Sequence, residues 1–142
     1  MGFSLVAAAA IIGVSIVMAI EIIVGTTIPT LTDTYDSLDE MRDRAIEQIQ
    51  TDINITSVTS EANGSDFDIN ITLENTGSTT LETSYFNILI NGTDKDFTCS
   101  NLYLHPKNQV YFNVSSLVST GPRRLKIITD NGISDYFDFT LS

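Results

Sequence analysis

The stretch Phe67-Asp-Ile-Asn-Ile-Thr-Leu-Glu-Asn-Thr-Gly-Ser78 decides the fold class. Its apolar side chains fall on every second residue, at Phe67, Ile69, Ile71 and Leu73. A period of two places these side chains on one face of a half-buried β-strand. The Asn-Thr-Gly-Ser that follows predicts a turn, because Asn and Gly tolerate the backbone conformations that turns require.

The same alternation recurs downstream, at Phe86/Ile88/Ile90, Val110/Phe112/Val114, Leu125/Ile127 and Phe137/Phe139/Leu141. Two of these strands run into hairpin signals, at Asn91-Gly92 and at Asp130-Asn131-Gly132. About seven short strands with turns every 8–12 residues are typical of a sandwich of antiparallel sheets. The sequence therefore predicts a mainly β chain, with an Ig-like antiparallel β-sandwich over residues 53–142.

A long apolar segment precedes this domain. Residues 3–24 contain one charged side chain, Glu21, and roughly 20 apolar residues suffice to cross a membrane as a helix. We therefore predict a transmembrane anchor over residues 1–25 that contacts lipid through residues 3–24. A signal peptide cleaved near Gly25 is the alternative. It is disfavoured because no Lys or Arg precedes the apolar run, which is also long for a signal peptide.

A kinked helical stalk is predicted over residues 26–52. The Gly25-to-Pro29 segment should kink or interrupt the helix, because Pro29 has no N–H to donate. A helical pattern then runs from about residue 33 to 52, with one apolar stripe at Leu38, Met41, Ala45, Ile49 and Ile53. Two interpretations stay open: the stripe packs on the chain's own β domain, or it pairs with another anchored chain.

The charge balance excludes several function classes. A formal net charge of −11 is opposite to the basic footprint of nucleic-acid-binding proteins, so no nucleic-acid partner is expected. Arg123, Arg124 and Lys126 form the only local basic cluster, for which a solvated strand face is favoured over an acidic partner. One cysteine, Cys99, and one histidine, His105, allow neither an intrachain disulfide nor a zinc site.

No pattern of catalytic residues is present. The sequence has no G-x-S-x-G, P-loop, H-E-x-x-H or G-x-G-x-x-G motif, so we predict no enzyme, no catalytic residue, no cofactor and no metal. The oxygen-rich stretch Asn91 to Asp96 lacks the spacing of a calcium-binding loop and is interpreted as a hairpin. Cys99 alternates with Phe97 and is expected to be a small core residue.

Five Asn-X-Ser/Thr acceptor signals are candidate glycosylation sites, at Asn54, Asn63, Asn70, Asn91 and Asn113. Asn54, Asn70 and Asn113 fall on the polar faces of their predicted strands, and the other two lie in a loop and a turn. All five are therefore expected to accept a glycan without disturbing the core. They favour a topology with the N-terminus inside the membrane and the β domain outside.

Several segments in order resemble the FlaF (ArlF) family, accessory proteins of the archaeal flagellum, or archaellum. They are Met1-Gly-Phe-Ser4, the single apolar span, Asp39-Glu-Met-Arg-Asp-Arg44, residues 71–81 and residues 125–135. The resemblance implies a stator component of swimming motility in the archaeal cell membrane. Its external β-sandwich would lie beneath the S-layer, bind the S-layer protein, form homodimers and act with a FlaG-like partner. No residue-level S-layer motif carries over.

Two other classes compete with this prediction. An archaellin or type IV pilin-like filament subunit also combines an apolar N-terminal helix with a β-rich head. Such subunits are processed after a Lys/Arg-Gly pair, whereas Gly2 here follows only Met1, which favours the anchor interpretation. An S-layer-associated adhesin or generic Ig-like receptor would need an exposed ligand site that the sequence does not show.

Overall fold

A computed structural model describes residues 2–142, and two compact units divide the chain after Asp43. Met1, which belongs to the predicted anchor and to the Met1-Gly-Phe-Ser4 motif, lies outside the described residues.

The N-terminal segment is helical. Helix α1 spans Gly2–Ile22, a π-helical segment spans Ile23–Thr27, and helix α2 spans Ile28–Gln50. One helix in the described residues is long and apolar enough to cross a membrane. The side chains of α1 are apolar on nearly every side, and all of them are exposed in the isolated chain. A helix that is hydrophobic all round needs an apolar surrounding, which a bilayer supplies.

The segment Ile23–Thr27, just before Pro29, is π-helical, and the helix continues through it into α2 without interruption. Pro29 cannot donate to the carbonyl four residues earlier, and a π-helical turn is one way in which a helix accommodates such a defect. The Thr26 hydroxyl donates to the Ile22 carbonyl at 2.5 Å, and the Thr30 hydroxyl donates to the Thr26 carbonyl at 2.7 Å. Helix α2 begins at Ile28, earlier than the apolar stripe had indicated.

Ten strands make up the β unit. They are β1 (Ile53–Asn63), β2 (Asp66–Asn75), β3 (Leu81–Glu82), β4 (Asn87–Ile90), β5 (Thr93–Lys95), β6 (Thr98–Cys99), β7 (Tyr103–Leu104), β8 (Gln109–Leu117), β9 (Gly121–Ile128) and β10 (Ser134–Leu141). A short 3-10 turn, Thr83–Tyr85, follows β3. Every strand pair is antiparallel.

The strand order confirms the Ig-like prediction. One sheet has the order β1-β2-β8-β6 and the other β10-β9-β4-β5, with β3 and β7 forming a separate small pair. These orders correspond to the A-B-E-D and G-F-C-C′ sheets of immunoglobulin domains. The β3–β7 pair was not predicted, because two residues are too short to show alternation.

Both sheets contribute to one hydrophobic core. Ile69, Ile71, Leu73, Val110, Phe112 and Val114 come from the first sheet, and Ile88, Ile90, Leu125, Ile127 and Leu141 come from the second. Phe112 packs against the rings of Phe86 and Phe97, with centroids 5.8 and 5.2 Å away. Phe67, Phe137 and Phe139, which alternation had placed inside, are only partly buried at the margin of this core.

Both predicted hairpin turns are present. Asn91 and Gly92 have φ values of +52° and +79°, which is the conformation of a type I′ turn between β4 and β5. Gly132 has φ +87° in the turn between β9 and β10. The positive φ angles explain why Asn and Gly occupy these positions.

Candidate functional site

The candidate site is the end of the β-sandwich opposite Gln50, which we call the distal end. Ile53 pairs with Asn75 where the first sheet begins, and Asn63 pairs with Asp66 at its other limit. The distal end consists of the β1–β2 hairpin tip (residues 63–66), the β4–β5 turn (residues 91–92) and the β8–β9 connection (residues 116–121).

The β8–β9 connection has an unusual backbone. Ser116 and Ser119 adopt left-handed conformations, with φ +62° and +73°. Such conformations are uncommon for residues other than Gly and cost of order 1–3 kcal/mol each where they are strained. Between them, Val118 is 69% exposed. The connection therefore presents an apolar side chain from a backbone that its surroundings must hold in place.

Two charged side chains hold that connection. The Arg123 guanidinium donates to the carbonyl oxygens of Val118 (2.9 Å) and Ser119 (3.2 Å) and to the Ser119 hydroxyl (2.7 Å). The Asp68 carboxylate accepts the backbone N–H of Ser116 at 3.1 Å and the Asn63 side-chain amide at 2.9 Å. Asp68 thus joins the hairpin tip to the β8–β9 connection. Side-chain hydrogen bonds therefore fix the conformation of the distal end.

The basic cluster predicted from sequence is divided between the two sides of β9. Arg124 and Lys126 both lie over the ring of Tyr136, at 5.6 and 5.1 Å from its centroid. Arg124 also forms an ion pair with Asp138 at 3.1 Å, and both side chains are well exposed. Arg124 and Lys126 therefore cover a strand face as a self-contained cluster, while Arg123 stabilises the distal end.

A second feature is the joint between the last turn of α2 and the sandwich. The Gln48 amide donates to the Asn131 carbonyl at 2.9 Å, and the Asn131 amide donates to the buried Thr51 hydroxyl at 2.5 Å. Thr129 in turn donates to the Asn131 side-chain oxygen at 2.6 Å. These bonds tie the helix end to the β9–β10 turn of the second sheet.

The joint also includes the turn after β2. The backbone N–H of Gly77 donates to the Asp52 carbonyl at 3.0 Å, and that of Ser78 donates to the Gln50 carbonyl at 2.8 Å. A Cβ atom at Gly77 would collide with the Gln50 carbonyl oxygen and would lie 2.5 Å from the Asp52 nitrogen. Glycine is therefore required where the helix end approaches the first sheet.

The five acceptor asparagines are all exposed, as predicted. Asn63 and Asn91 lie at the distal end. Asn54, Asn70 and Asn113 lie within β1, β2 and β8 on the outer face of the first sheet, where Asn70 and Asn113 are direct cross-strand neighbours.

Cys99 and His105, the other residues singled out in the sequence, contact neighbouring residues of the sandwich. Cys99 packs partly buried against the core, as expected, and its thiol donates to the Asn101 carbonyl at 3.0 Å. A ring nitrogen of His105 lies 3.2 Å from the Thr80 hydroxyl. Within residues 2–142, no group of three His, Cys, Asp or Glu side chains is placed to hold a metal ion.

Comparison with known proteins identifies the family. A family profile described as archaeal-type flagellin matches residues 2–139. The chain belongs to the archaeal-type flagellin family. It is also 27% identical over 146 residues to the "Putative flagella-related protein F" of Methanocaldococcus jannaschii, covering 99% of this chain and 100% of the relative.

A solved structure is also similar to part of the chain. The "Archaellum periplasmic stator protein FlaG from Sulfolobus acidocaldarius" has a TM-score of 0.49 and 20% identity, covering 63% of this chain and 99% of that one. The full-length similarity to flagella-related protein F confirms the resemblance to the FlaF family. The chain is thus an archaellum-related protein, in a family of structural and accessory proteins, with one N-terminal apolar helix suited to single-pass anchoring.

Two parts of the distal end, the loop at Asn63 and the Asn91-Gly92 turn, were indicated by sequence, but how they lie together was not. Sequence reasoning missed the β8–β9 connection. Its serines in left-handed conformation resemble ordinary polar residues in the sequence, and the partners of Asp68 and Arg123 depend on long-range folding. The only sequence signal was the Gly121-Pro122 pair at the start of β9, which marks a connection without indicating its conformation.

Proposed function

We propose that this protein is an archaellum stator component that anchors the motor to the cell envelope through its distal end. The N-terminus lies inside, α1 spans the membrane, and the β-sandwich lies outside, beneath the S-layer, whose protein it binds. The observation that carries this proposal is the distal end itself: an exposed apolar residue on a connection that Arg123 and Asp68 hold rigid. The full-length similarity to a flagella-related accessory protein supports it.

The mechanism is physical rather than chemical. A stator must resist torque, so a force on the distal end has to reach the anchor without unfolding the domain between them. The joint supports this role because it ties the last turn of α2 to a turn of each sheet, through Gly77 and Ser78 on one side and Asn131 on the other. Several weak contacts around one motor would together resist torque through multivalency.

The experiment that tests this function measures binding to the envelope. Residues 44–142, which form one compact unit, are sedimented with isolated S-layer. We expect specific co-sedimentation, weakened at least tenfold by Val118→Asp, because a carboxylate replaces the exposed apolar side chain. Leu102→Asp is the matched control, since Leu102 is 52% exposed and lies outside the distal end. Equal binding by both variants would exclude the distal end, and no binding by the wild-type unit would refute the envelope anchor.

A homodimer formed through the stalk is part of the proposal. Of the predicted stripe, Leu38, Met41 and Ile49 are exposed on α2, which supports pairing with another chain, whereas Ile53 lies in β1 and packs in the core of its own domain. The side chains at successive spacings of three and four on α2 form a seam of Ile28, Leu31, Tyr35, Leu38, Arg42, Ala45 and Ile49. Ile49 is 84% exposed although the chain enters β1 four residues later, so the sandwich does not cover it. Of the six acidic residues of α2, Asp39 flanks the seam, and the other five fall at heptad positions away from it: Asp33, Asp36, Glu40, Asp43 and Glu47.

Pairing of the stalk gives a specific prediction. Leu38→Glu places a charge in the seam and is expected to weaken dimerisation of the full chain in detergent by about tenfold or more, or about 1.4 kcal/mol. Ser37→Glu adds the same charge one residue away, outside the seam, and should leave the dimer intact. The measurement is sedimentation equilibrium. A dimer that tolerates Leu38→Glu as well as Ser37→Glu would place the interface elsewhere.

A filament subunit is the second candidate, because the matching family is that of the archaeal-type flagellins and the match begins in the apolar helix. The two functions predict different locations for the protein. A stator component remains with the cell envelope when filaments are sheared from cells, whereas a subunit is recovered along the filament. Recovery as a major component of sheared filaments would replace the stator proposal. The FlaG-like partner, implied by the FlaF resemblance, is expected to co-purify with the envelope-bound protein.

A further inference from the structure

We infer that N-glycans are attached to the two hairpin tips, at Asn63 and Asn91, and that folding excludes the other three acceptor sequences from modification. This inference rests on the proposed placement of the β domain outside the membrane. It assigns the modified sites from the conformation around each asparagine, because exposure alone does not distinguish the five.

The three excluded sequences share a buried middle residue. They are Asn54-Ile55-Thr56, Asn70-Ile71-Thr72 and Asn113-Val114-Ser115, whose middle side chains are 4%, 0% and 0% exposed. In a strand, residues i and i+2 share the outer face while residue i+1 points into the core. A transferase that must bind all three residues of the sequence would therefore have to pull a core residue out of the sandwich.

The backbone around two of these sites adds a second barrier. β2 lies between β1 and β8, and β8 lies between β2 and β6, so Asn70 and Asn113 are in strands paired on both sides. Their side chains are direct cross-strand neighbours, with Cβ atoms about 5 Å apart in such pairs. Two glycans there would compete for the same space even if both sites were reached.

The two hairpin tips have neither barrier. In Asn63-Gly64-Ser65 and Asn91-Gly92-Thr93 the middle residue is an exposed glycine with positive φ, at +69° and +79°. A Cβ atom at either glycine would meet nothing within 4 Å, so the space beside each tip is open. The Asn91 side-chain oxygen accepts the Arg124 backbone N–H at 2.9 Å, which leaves its amide nitrogen available. The Asn63 amide nitrogen donates to the Asp68 carboxylate at 2.9 Å, so modification at this tip requires that single hydrogen bond to open.

Attachment of an N-glycan needs an oligosaccharide donor and a transferase. The asparagine amide nitrogen attacks the anomeric carbon of an oligosaccharide carried on a lipid phosphate, in the active site of a membrane oligosaccharyltransferase. A C–N bond forms, the bond from that carbon to the phosphate oxygen breaks, and the lipid phosphate leaves with the electron pair. The amide nitrogen gives one proton to a base of the transferase, and no electrons are exchanged with a redox partner.

The test is site-resolved mass spectrometry of the full chain purified from an archaeal host that performs N-glycosylation. We expect glycan at Asn63 and Asn91 and at least tenfold lower occupancy at Asn54, Asn70 and Asn113. Ser65→Ala and Thr93→Ala should each abolish the glycan at their own tip only. Comparable occupancy at any strand site, or unmodified tips, would overturn the inference.

A destabilised variant tests the physical reason. Ile127→Ala opens a cavity in the second sheet, far from every acceptor sequence along the chain, and should raise occupancy at the strand sites by increasing the unfolded population. Ile127→Val is the milder control. Strand sites that remain empty in a demonstrably destabilised Ile127→Ala protein would refute protection by folding.

Protease treatment of intact spheroplasts separates this inference from the proposed function. An external domain without glycans contradicts only this inference, whereas a domain protected from the protease contradicts the proposed topology.

Discussion

Replacing Phe112 by alanine is expected to lower the free energy of unfolding of residues 44–142 by about 3–5 kcal/mol. Phe112 is fully buried in β8, an inner strand of the β1-β2-β8-β6 sheet. Its ring contacts Phe86, the residue just before β4 of the opposite sheet, and meets Phe97 edge-on. Truncation removes these contacts and leaves a cavity between sheets that antiparallel pairing prevents from collapsing.

Tyr111 provides the matched control for this prediction. It is the preceding residue in β8, points to the outer face and is 50% exposed. Tyr111→Ala removes a similar volume but leaves no cavity, so the loss should stay within about 1 kcal/mol. Urea unfolding of both variants, followed by circular dichroism, gives the comparison. Similar losses for Phe112→Ala and Tyr111→Ala would mean that β8 is not buried as described.

The contrast between Phe112 and Tyr111 also shows how far the sequence predicts the fold. A period of two is a local property, so alternation located the long strands and assigned Phe112 to the core. Turn chemistry is local as well, because Asn91-Gly92 suits positive φ at two successive residues. The long apolar N-terminal helix was predictable for the same reason, since its length and uniform apolarity can be read along the chain.

Features that depend on distant residues were not predictable. The Asn75-Thr-Gly77-Ser segment indicated a turn, but not that Gly77 is needed because the end of α2 passes against it. Likewise, the left-handed conformation of Ser119 is stabilised by Arg123, whose place opposite the connection follows from strand register. The proposed site consists mainly of such features, so sequence alone predicted the domain that bears it but not the surface.

Asn75 combines a local turn signal with contacts to distant residues. Its replacement is expected to cause the second large loss in the free energy of unfolding. The side chain is fully buried. Its amide donates to the carbonyl oxygens of Thr79 (2.7 Å) and Leu104 (3.0 Å), and its oxygen accepts the Gly77 N–H at 3.0 Å. Asn75→Ala removes all three bonds and leaves buried polar groups without these partners, so we expect a loss of about 3 kcal/mol.

The loss should be concentrated at the joint, because the Gly77 N–H that Asn75 positions also donates to the Asp52 carbonyl. Hydrogen exchange should therefore accelerate at Gly77 and Ser78 more than in the middle of β8, since local opening costs less than global unfolding.

Asn87→Ala, which removes an exposed side chain from β4, is the control and should change neither hydrogen exchange nor the free energy of unfolding. If exchange in Asn75→Ala rises equally throughout the sandwich, Asn75 supports the whole fold and has no special role at the joint. If the rise is confined to the joint, the same variant in cells should weaken the proposed resistance to torque while leaving the proposed envelope binding intact, because the distal end lies at the other limit of both sheets.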